Sequence, residues 1–328
     1  MQIYKFNNIL KPVLWGGSKV LEFKHLPESD EPIGESWELS PMPGREAVGA
    51  QGEEKGMTLS QLVRHYGDEL VGKEVSRRYG DRFPLLIKFI DAHRNLSIQV
   101  HPDDKMARQR HGCSGKTEMW YILDTDEHAL IRTGFNRQLS PDEFDGMLKD
   151  GSIVEAINSN TSKPGDVFYI PAGQIHNIGA GNFLVEIQQS SDITYRVWDY
   201  NRRDAEGNLR PLHIQEAREA LDFSPREGRV LDRPNLGPGM TGLVDCHDFV
   251  VRHLEFDGNY TLENPDCQTF VAMVCIHGEA TLQVEGMKPV TVRQGDTVLV
   301  PAIAERVEMN GAARLLLASI PVEDIKNP

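Results

Sequence analysis

The side chains best suited to chemistry are nitrogen and oxygen ligands in three short stretches of the sequence. Gln99 and His101 lie two residues apart in the β-rich run NLSIQVHPDD, so both should point to the same face of a strand. Glu118, in GKTEMWYIL, and His176, in FYIPAGQIHNIG, complete a set of two imidazoles, a carboxylate and an amide oxygen. Such a set suits zinc with one position open for water or substrate, and it would also accept manganese, cobalt or iron.

Charged residues interrupt three of the apolar runs. Lys116 lies two residues before Glu118, so the pair shares one strand face and marks either a solvated strand end or the lip of a site. Lys88, in PLLIKFIDA, must either extend to solvent or line a polar cavity, and we favour the cavity. Glu186, in FLVEIQQSS, is a carboxylate that also lies inside an apolar run. It is a candidate acid/base, or a residue that holds one in place.

The remaining histidines and the cysteines are interpreted without a ligand role. An isolated histidine is usually a core or surface residue, and we assign eight others to that class: His65, His93, His111, His128, His213, His247, His253 and His277. The cysteines contain no CxxC pair, which favours reduced thiols and makes a cysteine-bound zinc improbable. They are Cys113, Cys246, Cys267 and Cys275.

The elements that position these side chains are mostly strands, with helices inserted between them. TLSQLVRHYGDELVG begins with Thr58 three residues before Gln61, a capping-box pattern followed by apolar residues at helical spacing. LSPDEFDGMLKDG repeats that pattern with a proline at the first helical position, and HIQEAREALDF is a third candidate helix. Short β-rich runs, broken by Gly, Pro and Asn, indicate a sandwich or barrel of antiparallel strands. The predicted helical inserts lie at approximately 50–80, 138–160 and 211–222.

One motif occurs twice. KPGDVFYIPAGQIHNIG and RQGDTVLVPAIAERVEMNG share a Gly-Asp turn, a short β-rich run and a Pro-Ala step at the same offset. Gly165 therefore corresponds to Gly295, and Pro171 to Pro301. This indicates one β-barrel motif used twice.

The second copy lacks the polar side chains of the first. In the same register Arg306 stands in the place of His176, and Val271 in the place of Glu118. Because side chains able to bind a metal occur in only one of the two copies, we favour a functional site in that copy over a general preference for polar residues at the surface.

Composition limits the class of protein. The chain has 328 residues, 39% of them hydrophobic, and no apolar run long enough to cross a bilayer. Its start, MQIYKFNNIL, does not have the pattern of a signal peptide, so we expect a cytoplasmic location. The net charge of −14 argues against nucleic acid or an anionic membrane as partner. An anionic substrate would need a local cluster of Lys and Arg.

Several stretches together resemble a known family. LSIQVHPDD, GKTEMWYIL, FYIPAGQIHNIG and VEIQQSSDITYRVWDY resemble successive signatures of type I mannose-6-phosphate isomerase, in the short bacterial form of the cupin superfamily. The likeness begins at LKPVLWGG and continues through IGESWELS and PLLIKFIDA to the second barrel, so it covers nearly the whole chain. The chain is shorter than the eukaryotic type, which carries an extra helical domain, and contacts from that domain cannot be transferred.

The resemblance implies a fold and a domain organisation. We expect a mostly β protein with helical inserts, built from two cupin-type jelly-roll β-barrels of which the second lacks the metal site. Residues 1–240 would form the catalytic metal-binding domain and residues 241–328 a degenerate C-terminal cupin domain.

The resemblance also implies an activity. The family interconverts mannose 6-phosphate and fructose 6-phosphate with one zinc ion per chain. The residues that match its metal motif are Gln99, His101, Glu118 and His176, and Arg196 matches its catalytic arginine. From the residues alone, Arg196 could instead stack on the flanking aromatics of TYRVWDY or pair with a nearby aspartate.

The expected roles of the other charged residues follow from the same reaction. Lys88, Lys116 and Arg196 are expected to bind a phosphorylated hexose, and Arg196, Lys116 and Glu186 to take part in catalysis. Two alternatives remain open at this point: an iron-dependent oxygenase on the cupin fold, and a sugar-binding protein without catalytic activity. The sequence leaves the oligomeric state open.

Overall fold

Strands dominate the structure, as the sequence predicts. The computed structural model describes residues 1–203, 207–264 and 268–322, and within them it contains 21 strands, seven α-helices and one 3-10 helix. The strands of the N-terminal part are β1 (Tyr4–Lys5), β2 (Ile9–Gly17), β3 (Ile33–Leu39), β4 (Pro41–Met42), β5 (Arg45–Glu46), β6 (Leu85–Ala92), β7 (Ile98–Val100), β8 (Glu118–Thr125), β9 (Leu130–Phe135), β10 (Ile157–Thr161), β11 (Val167–Ile170), β12 (His176–Ile178), β13 (Asn182–Gln189) and β14 (Tyr195–Trp198). The C-terminal strands are β15 (Asn235–Gly237), β16 (Met240–Asp245), β17 (Val250–Glu263), β18 (Val271–Gln283), β19 (Val290–Arg293), β20 (Thr297–Val300) and β21 (Arg306–Ser319).

Helices lie within each of the three stretches where inserts are predicted. The helices are α1 (Lys19–Phe23), α2 (Leu59–Tyr66), α3 (Asp68–Val71), α4 (Lys73–Tyr79), α5 (Asp104–His111), α6 (Pro141–Asp150), the 3-10 helix Ser152–Ala156, and α7 (Ile214–Ala220). Both predicted capping boxes are confirmed, with Thr58 and Ser140 each accepting a hydrogen bond from the third helical residue. The helices α1 and α5 were not predicted from the sequence.

Two sheets form the first unit, which carries the candidate site. The six-stranded sheet has the order β11-β8-β13-β6-β3-β2, and the five-stranded sheet has the order β10-β9-β12-β7-β14. Buried side chains of both sheets meet in one cluster, which includes Trp120 and Phe168 from the first and Ile131 and Ile178 from the second. The two sheets therefore pack face to face as a sandwich.

A single eight-stranded sheet forms the second unit. Its order is β1-β20-β18-β21-β17-β16-β15, with β19 paired to β18. One face contributes Leu254, Met273 and Leu315 to a core of its own. This sheet includes Tyr4–Lys5 as well as residues shortly before 240. The domain boundary at 240/241 stays a prediction.

The two units share a large hydrophobic core. Ile87 and Phe89 of β6 belong to the same buried cluster as Leu299 and Leu316 of the second unit. The six-stranded sheet is thus covered on both faces, which explains why every residue of β6 and β13 is buried. Because side chains alternate along a strand, Lys88 faces the opposite way, into the sandwich.

The predicted sequence repeat is also a structural repeat. Ile170 of β11 pairs with Glu118 of β8, and Val300 of β20 pairs with Val271 of β18. In both units, the residue that precedes the Pro-Ala step therefore pairs with the residue at the Glu118 position of the neighbouring strand, which is Val271 in the second unit.

The remaining predictions about the chain concern its cysteines and its location. Cys113, Cys246 and Cys275 are free thiols, and Cys267 lies outside the described residues. None of the helices in the described part of the chain is long and apolar enough to span a membrane. The cytoplasmic location stays a prediction.

Candidate metal and substrate site

Three of the four predicted metal ligands converge inside the sandwich. Their ligand atoms all lie within 4.8 Å of one another, and the residues are His101, Glu118 and His176. Nε2 of His101 lies 3.5 Å from Oε2 of Glu118, and Nε2 of His176 lies 3.4 Å from Oε1 of the same carboxylate. The three side chains are at most 1% exposed.

Backbone carbonyls fix the orientation of both imidazole rings. Nδ1 of His101 donates a hydrogen bond to the carbonyl of Ile193 at 2.8 Å, and Nδ1 of His176 donates to that of Gln174 at 2.9 Å. With the proton on Nδ1, each ring presents the Nε2 lone pair toward Glu118. Burial lowers the pKa of both rings, that of His101 to about 3, so both are neutral at neutral pH, which is the form that binds a metal.

Glu118 is a fully buried carboxylate whose oxygens accept no well-formed hydrogen bond from the described residues. Burial alone would raise its pKa, but the charge of Lys116 holds the pKa of Glu118 well below its usual range. A buried ionised carboxylate beside two neutral imidazole nitrogens is a donor set for a divalent cation. The residues present therefore fit a metal ion.

Gln99, the fourth predicted ligand, lies beside this group. It pairs with His176 across β7 and β12, and its Nε2 is 3.2 Å from Nε2 of that histidine. Its Oε1 accepts a hydrogen bond from Ser97 Oγ at 3.1 Å. A half-turn of the amide would present Oε1 to the imidazole group instead, because the two ends of the amide are similar in shape.

Lys116 is part of the site rather than a solvated strand end. Its side chain is 4% exposed, and its ammonium lies 2.7 Å from Glu118 Oε2 and 3.1 Å from His101 Nε2. Oε1 of Glu186 is 4.0 Å away. This burial excludes the solvated strand end, and the role of the Lys116–Glu118 pair in a functional site stays a prediction.

The segment that carries Lys116 and Glu118 is held by polar contacts that the sequence analysis did not identify. Gln189 accepts a hydrogen bond from the backbone N–H of Thr117 at 2.8 Å. Its amide nitrogen donates to Asp104 and to Asp248, each at 3.2 Å. Asp248 belongs to the second unit, so that unit reaches the segment through Gln189.

Lys88 lines the site, as predicted, and forms an ion pair with Glu186. Lys88 Nζ donates to Glu186 Oε1 at 2.8 Å and to Gln188 Oε1 at 2.8 Å. The second oxygen of Glu186 accepts from Trp120 Nε1 at 3.1 Å. Although burial lowers the pKa of Lys88, the charge of Glu186 raises it above the usual value, so the ammonium stays protonated.

Arg196 faces the same space from the five-stranded sheet. It pairs with Gln99 across β14 and β7, and its Nη1 donates to the carbonyl of Pro211 at 3.1 Å. Its Nε is buried and has no hydrogen-bond partner among the described residues. Asp199, the aspartate considered as an alternative partner, instead binds Arg202 and Arg210.

Five of the predicted side chains line one cavity of about 350 Å³, whereas His101, Glu118 and His176 lie behind its wall. The predicted residues on its wall are Lys88, Gln99, Lys116, Glu186 and Arg196. The cavity also contacts Lys11, Glu35 and Arg210, which the sequence analysis did not single out. Glu35 lies within the buried strand β3, and a charged residue in the middle of IGESWELS was a signal that could have identified it.

Family models match both units of the chain. Residues 3–135 match the model described as phosphomannose isomerase type I, catalytic domain. Residues 239–320 match the model described as mannose-6-phosphate isomerase, cupin domain.

Whole-chain comparisons extend the match. The chain is 34% identical over 318 residues to mannose-6-phosphate isomerase ManA of Bacillus subtilis (strain 168), covering 96% of this chain and 98% of that protein. The chain belongs to the type I phosphomannose isomerase family. It is also 32% identical over 304 residues to a mannose-6-phosphate isomerase of Streptococcus mutans, with 92% and 93% of the two chains covered.

Solved structures of the family have the same fold. The crystal structure of the mannose 6-phosphate isomerase from Bacillus subtilis superposes with a TM-score of 0.88 at 30% identity, covering 97% of this chain and 99% of that chain. The predicted fold class, mostly β with helical inserts and a cupin fold, is thereby confirmed. Within the described residues the two predicted barrels take the form of a two-sheet sandwich and an eight-stranded sheet, neither with a closed strand order.

Proposed function

We propose that this member of the family is a zinc-dependent isomerase that interconverts mannose 6-phosphate and fructose 6-phosphate. The observation that carries the proposal is the buried group of His101, Glu118 and His176 beside a cavity with lysines and arginines on its wall. The family membership supports the reaction, and the donor set supports a divalent metal such as zinc.

The reaction determines what the cavity must do. An aldose becomes a ketose when one proton moves from C2 to C1 and another moves from O2 to O1, and we propose that the reaction passes through a cis-enediol. Negative charge then develops on the sugar oxygens, and preorganised cations at those oxygens lower the barrier. A bound zinc ion would supply Lewis-acid polarisation of those oxygens. We propose His101, Glu118, His176 and the amide oxygen of Gln99 as its ligands.

Arg196 is the proposed stabiliser of the developing charge. Its Nε has no partner among the described residues, so at least one N–H remains available to a ligand in the cavity. A guanidinium placed on the enediolate stabilises the transition state more than the bound substrate. Arg196 should therefore act mainly on kcat.

Lys88, Lys116 and Glu186 are the remaining charged residues for which we propose roles. Both oxygens of Glu186 already accept hydrogen bonds, from Lys88 and from Trp120. We therefore assign Glu186 to holding the lysines in place, the second of the two roles that the sequence left open. Lys88, which stays protonated, suits a hydrogen-bond donor to sugar oxygens, and Lys116, beside the proposed metal ligands, is our candidate for the proton-transfer step.

A coupled assay of fructose 6-phosphate formation from mannose 6-phosphate tests this function. We expect turnover by the purified protein, loss of turnover after dialysis against a chelator, and recovery on adding back one zinc ion per chain. Parallel reconstitution with manganese, cobalt and iron(II) determines whether zinc supports the highest rate. Full activity in a rigorously metal-free sample would contradict the proposed metal dependence.

A further inference from the structure

The second unit has a cavity of its own, with a volume of about 360 Å³. Val271, the counterpart of Glu118, lies on its wall. Thr269, two residues earlier in the chain, lines it as well. It corresponds to Lys116, which lies two residues before Glu118 and lines the cavity of the first unit. The two cavities thus share positions on equivalent segments of the chain.

Strand register extends this correspondence to a second pair of positions. Lys88 lies opposite Glu186 across β6 and β13, and both line the first cavity. Arg252 lies opposite Leu317 across β17 and β21, and both line the second. The strands of Glu186 and Leu317 also pair with β8 and β18 in equivalent register. The cavity of the second unit therefore lies at the place of the fold that holds the candidate site in the first.

Apolar and polar side chains share the wall of the second cavity. The apolar ones include Val250, Leu262, Leu317 and Ile320. Among the described residues, the group of potential metal ligands lies in the first unit. A concave space of several hundred Å³ that combines apolar side chains with a few polar groups is typical of a site for a small organic molecule. The second cavity therefore suits such a molecule rather than a metal ion.

Two side chains of opposite charge on this wall are available to a ligand. Asp245 lies opposite Val250 across β16 and β17, and Arg252 lies two residues further along β17. Both side chains therefore point to the same face of the sheet, as diagonal neighbours. They are exposed, and neither forms a hydrogen bond or an ion pair with the other or with any further part of the described chain. Glu263, the other acidic residue of the wall, lies 3.7 Å from Arg306, which compensates part of its charge.

We infer that the cavity of the second unit binds a small zwitterion of the α-amino-acid class, with its carboxylate at Arg252 and its ammonium at Asp245. The planar fork of arginine matches a carboxylate, and an aliphatic side chain of the ligand would contact the apolar part of the wall. A purely anionic ligand would be repelled by Asp245 and by the net charge of −14, whereas a zwitterion satisfies both wall charges. The inference is independent of the proposed isomerase reaction, because the residues of this wall lie outside the candidate site.

The first measurement titrates the full chain with three probes that differ by one group each. Leucine carries both charges, isocaproate lacks the ammonium of leucine, and isoamylamine lacks its carboxylate. By isothermal titration calorimetry we expect leucine to bind with a dissociation constant of about 1 mM or below. Each of the other two probes should bind at least about 10-fold more weakly, since it leaves one wall charge unpaired. Absence of saturable leucine binding up to about 10 mM would overturn the inference.

The second measurement assigns the two charges of leucine to the two side chains. Arg252→Gln should weaken leucine binding by about 10-fold and bind leucine and isoamylamine alike. Asp245→Asn should weaken it to a similar extent and bind leucine and isocaproate alike. The matched control is Arg293→Gln, which removes an exposed arginine of the same unit that pairs with Glu279 away from this wall. It should bind leucine within about threefold of the wild type.

The variants change exposed side chains, so each should keep the unfolding temperature of the wild type, which shows that it is folded. Unchanged leucine affinity in both Arg252→Gln and Asp245→Asn, or equal losses in Arg252→Gln and Arg293→Gln, would contradict the assignment. Saturating mannose 6-phosphate should leave the leucine affinity unchanged, because the two cavities are separate. Competition between the two molecules would place leucine in the first cavity and overturn the inference.

Discussion

The two units of the molecule have the same strand pairing at a position where, among the described residues, only the first unit carries the candidate ligand group. Glu118 pairs with Ile170 in the first unit, and Val271 pairs with Val300 at the equivalent point of the second. A cavity of about 350 Å³ is present in the first unit, and one of about 360 Å³, with Val271 on its wall, in the second. The strand pairing is thus repeated, whereas the side chains at the paired positions differ.

The buried ion pair of the first unit shows the same contrast. Lys88 pairs with Glu186 across β6 and β13, and in the second unit Arg252 pairs with Leu317 across β17 and β21. Without a carboxylate opposite it, Arg252 is exposed to solvent, whereas Leu317 is buried. A charge is kept inside this fold only where a partner compensates for its lost hydration.

Arg306 stands at the position of the second unit that corresponds to His176, and its side chain lies at the surface. Its side chain is 57% exposed and lies 3.7 Å from both Glu263 and Glu308, which are also exposed. The second unit still contributes to the site, because its Asp248 contacts Gln189, which holds the segment between Lys116 and Glu118.

The largest difference between the units is expected in metal binding. His101→Ala or His176→Ala should lose the metal and lower activity by more than about 100-fold, because each removes one of the few proposed ligands. Metal content per chain by elemental analysis, together with the coupled assay, measures both effects. A variant that keeps one metal ion per chain with full activity would show that these histidines are not ligands.

The next largest effect is expected for Arg196, which has no partner for its Nε among the described residues. Arg196→Ala should lower kcat by about 100-fold with a smaller change in KM, by analogy with the loss of one donor to a developing charge. Arg196→Lys should recover part of the rate. Steady-state kinetics on samples of equal metal content test this, and turnover within a few fold of the wild type would remove Arg196 from catalysis.

The third comparison is of stability at equivalent positions. Lys88→Ala leaves Glu186 buried with its ion-pair partner removed and should cost about 3 kcal/mol of unfolding free energy. Arg252→Ala, at the exposed equivalent position, should change it by less than about 0.5 kcal/mol. Urea denaturation of the two variants measures both values. Equal losses of unfolding free energy in the two variants would mean that the buried Lys88–Glu186 pair stabilises the first unit no more than an exposed residue does.

A smaller effect should come from the second unit acting on the first. Asp248→Ala removes one acceptor of Gln189 and should lower kcat by less than about 10-fold, below the range of residues that contact a metal ligand directly. Asp248→Asn keeps an acceptor oxygen and should recover most of the rate. An unchanged rate in Asp248→Ala would show that the second unit does not influence the site through this contact.

The smallest effect is expected for Arg306. Because its side chain is exposed, Arg306→Ala should leave the metal content unchanged and alter the unfolding free energy by less than about 0.5 kcal/mol. Elemental analysis and urea denaturation provide the measurements. A fall to half the metal per chain would place a second metal in the second unit and contradict the comparison.

Much of the fold could be predicted because its signals are local. The capping boxes at Thr58 and Ser140 and the repeated Gly-Asp and Pro-Ala steps depend on residues only a few positions apart. The helix α5 was missed although Asp103 caps it, since its apolar periodicity is weak.

The candidate site likewise contains residues that the sequence indicated and residues that it did not. The sequence indicated Gln99, His101, Glu118 and His176 by ligand type, strand alternation and the comparison of the two repeats. It did not indicate Gln189, Asp248 or Arg210, since an ordinary polar residue acquires a role only through neighbours that are distant in the chain. Asp248, for example, is 59 residues from Gln189, to which it is hydrogen-bonded.

The sequence by itself therefore determined the kinds of candidate ligand, the strands that carry or adjoin them, and which of two repeats has the polar side chains. Only the tertiary structure decided that Lys116 is buried beside Glu118, that Glu186 is engaged by Lys88 and Trp120, and that Arg210 faces the cavity. The physical reason is that burial and charge pairing depend on which sheets pack together. Alternation along one strand fixes the face on which a side chain lies, and the opposing sheet decides what that face meets.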